Sequence, residues 1–463
     1  MPKSWAISGV DLHVDVGPTR VRAELESALR DAVRSGRLPA GTRLPSSRQL
    51  AADLGLARNT IADAYGQLVA EGWLSARQGS GTHVAQRSAT PPESSTNVVV
   101  PPLARYDLRP GLPNLAAFPT TAWVTALRRA LLTAPTDALG YGDPRGRPEL
   151  REALAGYLAR VRGVATSPNQ IVVCSGFTQA LSLLTQVLQD RGATTVAMEG
   201  YGHPSHRAVV AQRGLVTRSL AVDQHGARID DLDQDEVVVL TPAHQFPLGP
   251  PLSPARRVAA VAWATATGGL IIEDDYDGEF RYDRHPVGAL QPLAPDRVAY
   301  VGTASKTLAP GVRLGWLVAP AGWLDDLVAA KALNDGQSSS LDQLTLAQLI
   351  TSGGYDRHIR RSRHNYRRRR DQLTQVLRDA SPQTHLSGIA AGMHAVLNLP
   401  DHLDEAAVTA TAARRGLAVE GLRSYRHDVP EQPPALVVGY GTPADHAYSG
   451  ALARLVATLR ARV

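Results

Sequence analysis

The chain has 463 residues, too many for one ordinary domain and enough for two or three with a large core. Hydrophobic residues make up 43% and charged residues 20%, a soluble globular balance. No apolar run reaches the roughly 18 residues of a membrane span, and MPKSWAISGVDLHVDV lacks the apolar centre of a secretory signal. A single cysteine, Cys174, excludes an internal disulfide and a Cys/His zinc framework, and fits a reducing cytoplasm. With 49 basic against 43 acidic residues, the net charge of +6 permits an anionic partner without requiring one.

Residues 1–86 read as a small domain. Val21, Leu25, Ala28, Leu29, Ala32 and Val33 recur at helical spacing, and Gly36 stops that helix. PAGTRLP turns, and Ser46 or Ser47 caps a short helix carrying Leu50, Ala51 and Leu54. Gly55 leads into a third helix from near Arg58, with Ile61, Tyr65, Leu68 and Val69 inward and Gly72 at its end. Two short strands, residues 73–77 and 82–85, flank the hairpin turn Gln78-Gly79-Ser80-Gly81. A helix, a helix-turn-helix and a β-wing make a winged helix-turn-helix.

A recognition helix enters the major groove by its N-terminal residues, here Arg58, Asn59 and Thr60. Arginine pairs bidentately with guanine and asparagine with adenine. Arg48 and the wing backbone are placed to grip phosphate. The run RLPAGTRLPSSRQLAADLGLARNTIADAYGQLVAEGWLSARQGSGTHVA resembles the DNA-binding domain of the GntR family. That resemblance implies DNA contacts at Arg48, Arg58, Asn59, Thr60, Gln78 and Gly79, and dimers on palindromes or repeats.

Residues 87–107, RSATPPESSTNVVVPPLARYD, hold paired prolines and small polar residues and read as an extended linker. From 108 to 463 helical patterns alternate with apolar runs at 171–174, 194–197, 237–240, 270–272, 298–301 and 314–318. Such alternation predicts a parallel sheet covered by helices.

The chemistry of this second domain centres on Lys306, in GTASKTLAPGVRLGW. It follows a strand, lies beside the hydroxyls of Thr303 and Ser305, and precedes Arg313 by seven residues. Upstream, an apolar strand ends in EDDYDGEF, where sheet tips meet ligands. Further upstream another ends in SGFTQAL, a glycine turn opening a helix and so offering N–H groups to phosphate. A lysine for a Schiff base, an acid for a pyridinium nitrogen, and an arginine with a helix N-terminus for phosphate describe a pyridoxal 5'-phosphate (PLP) site.

The ordered motifs SGFTQAL, TPAHQFPLG, EDDYD and SKTLAPGVRLGW are similar to those of fold type I, class I aminotransferases. With the winged head and linker, the whole chain resembles the MocR subfamily of GntR regulators, including its PLP-responsive vitamin B6 type. The resemblance implies an α/β PLP-dependent transferase fold with a smaller α+β C-terminal subdomain from about residue 345. It implies Lys306 as the aldehyde-binding lysine, Asp274 as partner of the ring nitrogen and Tyr276 as partner of the ring O3'. Arg313, Thr303, Ser305 and the turn Gly176-Phe177-Thr178 hold phosphate, and His244 and Gln245 edge the ring. It also implies a homodimer.

Two departures stand out. Where the family shows E-D-P-G-Y, this chain reads Glu199-Gly200-Tyr201-Gly202-His203, so the ring-stacking residue is Tyr201 or His203. Where aminotransferases and amino-acid sensors clamp a substrate carboxylate with a late arginine, ALVVGYGTPADH places Thr442. Residues 357–370, RHIRRSRHNYRRRR, hold eight arginines and no acid. On a helix these form either a solvated face or a second surface for DNA phosphates.

The expected function is a cytoplasmic, PLP-binding transcriptional regulator acting on a double-stranded DNA operator. Its aminotransferase-like domain senses PLP or a small amine rather than catalysing. The alternatives are a working aminotransferase with a DNA-binding appendage and a DNA-binding protein whose body only dimerises.

Overall fold

Gly55 turns the chain between two short helices at φ 60°, a left-handed backbone that glycine adopts without a Cβ penalty. Around it the first unit is built. In the computed structural model the described residues are 3–7, 10–14, 21–77, 80–86, 104–232, 235–282 and 287–461. The chain divides into two units, Met1–Pro101 and Pro102–Val463.

The first unit opens with an antiparallel hairpin, β1 (Lys3–Ile7) and β2 (Val10–Val14), where the sequence suggested no strand. Helices α1 (Val21–Arg34), α2 (Ser47–Leu54) and α3 (Arg58–Ala70) follow. Ser46 is the N-cap of α2, its hydroxyl accepting from the Gln49 N–H. The wing is β3 (Leu74–Arg77) against β4 (Gly81–Val84), antiparallel. Leu25, Leu29, Leu50, Leu54, Ile61 and Leu68 are buried together and hold the helices to one another.

The second unit starts with β5 (Tyr106–Asp107), α4 (Thr120–Thr133) and α5 (Pro148–Arg162). Alternating elements follow: β6 (Ile171–Cys174), α6 (Phe177–Asp190), β7 (Thr195–Glu199), α7 (Pro204–Gln212), β8 (Val216–Leu220), the short pair β9 (Val222–Asp223) and β10 (Gly226–Ala227), then β11 (Val237–Leu240), α8 (Pro254–Thr267), β12 (Leu270–Asp275), β13 (Val298–Thr303) and β14 (Gly315–Val318). Seven strands form one sheet in the order β6-β14-β13-β12-β11-β7-β8. All pairings are parallel except those of β14, which runs against both β13 and β6. The expected parallel sheet is therefore mixed. Every residue of β6, β11, β12, β13 and β14 is buried, which explains their unbroken apolar runs.

Helices α9 (Leu324–Asp335), α10 (Ser340–Thr351) and the long α11 (Gly354–Ala380) lead into the smaller subdomain. There β15 (His385–Ser387), β16 (His394–Asn398), α12 (Glu405–Arg414), β17 (Leu417–Ala418), β18 (Glu420–Gly421), β19 (Ala435–Gly439) and α13 (Asp445–Leu459) follow in chain order. Its four-stranded sheet has the order β15-β16-β19-β18, and β17 pairs in parallel with β5. This is the anticipated α+β subdomain. No described helix is long and apolar enough to cross a membrane.

Candidate cofactor site and nucleic-acid interface

β6 and β13 both oppose β14, so they run parallel to each other and to the rest of the large sheet. Their carboxyl ends therefore meet on one side. There a cavity of about 430 Å³ is lined by Gly176, Glu199, Asp274, Thr303, Lys306 and Arg313, among others.

One end of this cavity is a cup for an anion. Gly176 sits at φ 113° before α6, whose first turn has no side-chain cap, leaving its N–H groups open. A side chain at Gly176 would begin 3.9 Å from both an Arg313 guanidinium nitrogen and Thr303 Oγ1, and 4.0 Å from Ser305 Oγ. Three polar groups thus converge on a space kept clear by glycine. Thr303 Oγ1 lies 3.0 Å from Ser305 Oγ and accepts from the Ser305 N–H at 3.1 Å. Phe177 and Thr178 line the cavity on the first turn of α6.

The other end is acidic and buried. Asp274 is 6% exposed, and its carboxylate has no hydrogen-bond donor among the described residues. Burial pushes its pKa well above the usual range; Lys306 opposes this, and Asp275, Asp277 and Glu199 add to it. The Lys306 ammonium donates to the Gly111 carbonyl at 2.5 Å. Burial lowers its pKa, against the pull of Asp274 and Asp277, which favours the neutral amine. Tyr276 lines the same cavity, and its hydroxyl lies 3.1 Å from His244 Nδ1.

His244 and Gln245 stand one layer behind the cavity rather than on its wall. The same His244 Nδ1 is 2.9 Å from an Asp277 carboxylate oxygen. Gln245 donates to the Tyr201 and Phe246 carbonyls at 2.9 and 2.7 Å and to Glu199 at 3.2 Å. Phe246 is the residue of that segment that lines the cavity. His244, Asp277 and His394 bring ligand atoms within 4.8 Å of one another, but His394 Nε2 lies 3.2 Å from the Pro247 carbonyl and the other two pair together.

Tyr201 and His203 both line the cavity, but differently. The Tyr201 hydroxyl accepts from the Gln432 N–H at 2.9 Å, and its ring packs with Leu422 and Tyr425. His203 caps α7 and lies within 30° of parallel to Phe246, ring centres 6.5 Å apart. Its pKa is lowered by burial and by Lys306.

Sequence reasoning missed Glu199, Phe246 and Arg207 in the wall. Glu199 ends the buried strand β7 as Asp274 nearly ends β12, so an acid at a strand tip was the available signal. Burial pushes its pKa to about 7, against hydrogen bonds from Thr241 and Gln245. Arg207 and Arg313 are the arginines of the described wall. Arg207 donates to the Glu199 carbonyl at 2.9 Å. Thr442 donates to the Arg109 carbonyl at 2.6 Å. Arg423 and Arg426 both bind Glu431.

In the first unit, α3 has Ala57 as its N-cap, without a side-chain cap, and no acid in its first turn. Arg48, Arg58 and Asn59 are exposed and Thr60 half-buried. The basic side chains Arg22 and Arg30 are instead tied to Glu26 and Glu71. Gln78 and Gly79 lie outside the described residues.

Comparison with known proteins agrees with both units. Residues 22–84 match the gntR family of bacterial regulatory proteins, and residues 111–431 match aminotransferase class I and II. The pyridoxine biosynthesis transcriptional regulator PdxR of Corynebacterium glutamicum is 36% identical over 415 residues, 88% of this chain and 89% of that one. The probable rhizopine catabolism regulatory protein MocR of Rhizobium meliloti is 32% identical over 445 residues, 90% and 89% of the two chains. An archaeal alanine:glyoxylate aminotransferase superposes with a TM-score of 0.71 at 25% identity, covering 77% of this chain and 91% of that one. A kynurenine aminotransferase from Pyrococcus horikoshii, solved with PMP, gives 0.68 at 25% identity, over 76% and 90%.

The two units define a DNA-binding transcriptional regulator with a PLP-binding, aminotransferase-type body. The chain belongs to the MocR subfamily of GntR regulators.

Proposed function

We propose that this chain regulates transcription by sensing PLP, or a small amine presented to it, rather than by turning over amino acids. One observation carries this: a full set of cofactor-holding groups surrounds a cavity whose described wall has two arginines, one at the anion cup and one bonded to the backbone. Arg313 faces the anion cup, and Arg207 donates through one nitrogen to the Glu199 carbonyl. A relative named for pyridoxine biosynthesis favours PLP itself as effector.

When bound, PLP supplies an aldehyde that condenses with amines and a ring that withdraws electrons. Lys306 offers the amine, its pKa lowered by burial. Asp274 accepts from the ring nitrogen, and its burial at the cavity wall beside Lys306 supports that role. Tyr276 binds the ring oxygen, with His244 behind it. Gly176, Phe177 and Thr178 give backbone N–H groups to the phosphate, and Arg313, Thr303 and Ser305 complete the cup. His203 stacks on the ring, since the Tyr201 hydroxyl is committed elsewhere. Arg48, Arg58, Asn59 and Thr60, with Gln78 and Gly79, contact DNA.

The reading makes residues 1–86 the head, 87–107 a linker and 108–463 the sensor, working as a homodimer in the cytoplasm. For ligand to alter DNA binding it must bind two states of the protein differently. The test compares DNA affinity with and without PLP, in wild type and Lys306→Ala. PLP-dependent affinity in wild type alone is expected. Sustained transamination with common amino acids, or identical affinities in all four cases, would refute it.

A further inference from the structure

The eight arginines of residues 357–370, within α11, separate into two groups once their partners are known. Arg363 donates to the Glu279 carbonyl at 2.9 Å. Arg369 donates to the Tyr440 carbonyl at 3.0 Å and to Asp445 at 2.6 Å. Arg370 is half-buried. Arg363 and Arg369 hold the body together. Arg357, Arg360, Arg361, Arg367 and Arg368 are exposed, as is His364.

At 3.6 residues per turn these six positions fall within about a third of the helix circumference, over about 16 Å of its length. Among the described residues Arg360, Arg361 and Arg367 have no carboxylate partner. Two nearby acids are engaged: Asp356 binds Arg160 at 2.8 Å and Asp445 binds Arg369. Asp371 closes the stripe. Like charges three and four residues apart destabilise a helix, so helix stability does not explain them. At the N-terminal end of the stripe a groove of about 780 Å³ is lined by Arg129, Arg357 and Arg361, by the hydroxyls of Thr120 and Thr121, and by Asp445.

We propose that this face of α11 is a second DNA-contacting surface, one that binds phosphates and not bases. Guanidinium groups match phosphate geometry bidentately, and 16 Å of helix spans about five base-pair rises of 3.4 Å. The head supplies the sequence reading; the stripe supplies sequence-independent affinity. The proposal goes beyond the sensing reading and rests only on its claim that the chain binds DNA.

The test uses the full PLP-loaded chain and a fluorescein-labelled 40-base-pair duplex of random sequence, with anisotropy followed against salt. The variant is Arg360→Gln/Arg361→Gln/Arg368→Gln, at positions outside the cofactor cavity; an unchanged PLP absorbance band verifies its fold. Every arginine that ceases to neutralise a phosphate should flatten the slope of log K against log salt by about 0.9. The expected result is a slope shallower by about 2 to 3 and affinity at least tenfold weaker at 0.1 M salt. A slope equal to wild type overturns the proposal, as does an unchanged slope with abolished binding to polyglutamate, which would put an acidic protein on this face. Failure of wild type to bind this random duplex at all would likewise overturn it, since sequence-independent affinity is what the stripe supplies.

Discussion

Arg162 grips Asp275 with two hydrogen bonds, of 2.6 and 3.1 Å, and both side chains are almost wholly buried. Tyr300 donates a third to the same carboxylate at 2.8 Å. Arg162 ends α5, and Asp275 ends β12 beside Asp274. The pair thus fixes the strand tip that aims Asp274 into the cavity. Removing one partner of a buried pair strands the other, at a cost of about 3–5 kcal/mol. Arg162→Ala should lower the thermal midpoint sharply, and Arg162→Met with Asp275→Asn should recover part of the loss. A midpoint for Arg162→Ala within error of wild type in a melting experiment would contradict this.

Asp274 has a buried carboxylate with no hydrogen-bond donor among the described residues, which a ring N–H would satisfy. Asp274→Asn keeps the shape and removes the charge. We expect PLP retention to weaken about tenfold or more, equivalent to about 1.4 kcal/mol, because an adjacent opposite charge is worth at least that much. Equilibrium dialysis followed by absorbance measures it. PLP affinity unchanged from wild type would remove Asp274 from this role.

Much of this was legible because burial on both faces makes central strands continuous apolar runs, and six such runs became β6, β7, β11, β12, β13 and β14. The reversed direction of β14 was not legible. β14 looks like its neighbours in composition, and only its connection to β13 sets it antiparallel. β8 went unseen because it is an edge strand, with exposed Val216 and polar Arg218 and Ser219 interrupting any pattern. The lysine, the acid and the anion turn were found because chemistry and position coincide at strand tips. Which residue of Ala243–His244–Gln245–Phe246 faces the cavity depended on packing: Phe246 lines the wall, while His244 and Gln245 turn to Asp277 and Glu199.

Glu199 carries a pH signature. Burial raises its pKa from 4.5 to about 7. Below about 4.5 native and unfolded chains are both protonated there. Between 4.5 and 7 the native state holds a proton that the unfolded chain has released, so stability contributed by this group falls as pH rises. Glu273 and Glu279, also raised to about 7 by burial, act in the same direction. Glu199→Gln should therefore flatten the decline, by at most about 1.4 kcal/mol per pH unit. Denaturant unfolding of the PLP-free chain at several pH values gives the comparison, and parallel curves for wild type and variant would reject it.

Arg58 opens α3 exposed, without a carboxylate partner among the described residues and on a turn free of acid. Both features leave its guanidinium available for guanine. If it makes that pairing, Arg58→Ala should cost about 1–3 kcal/mol on a duplex selected from a random pool by the wild-type chain, and should relax preference at one base position. Arg48, placed for phosphate, should instead weaken all duplexes alike and reduce the salt slope by about 1 when changed to alanine. Repeating the selection with each variant separates the two roles. Equal loss of affinity on every sequence for Arg58→Ala would reassign that residue from base reading to backbone contact.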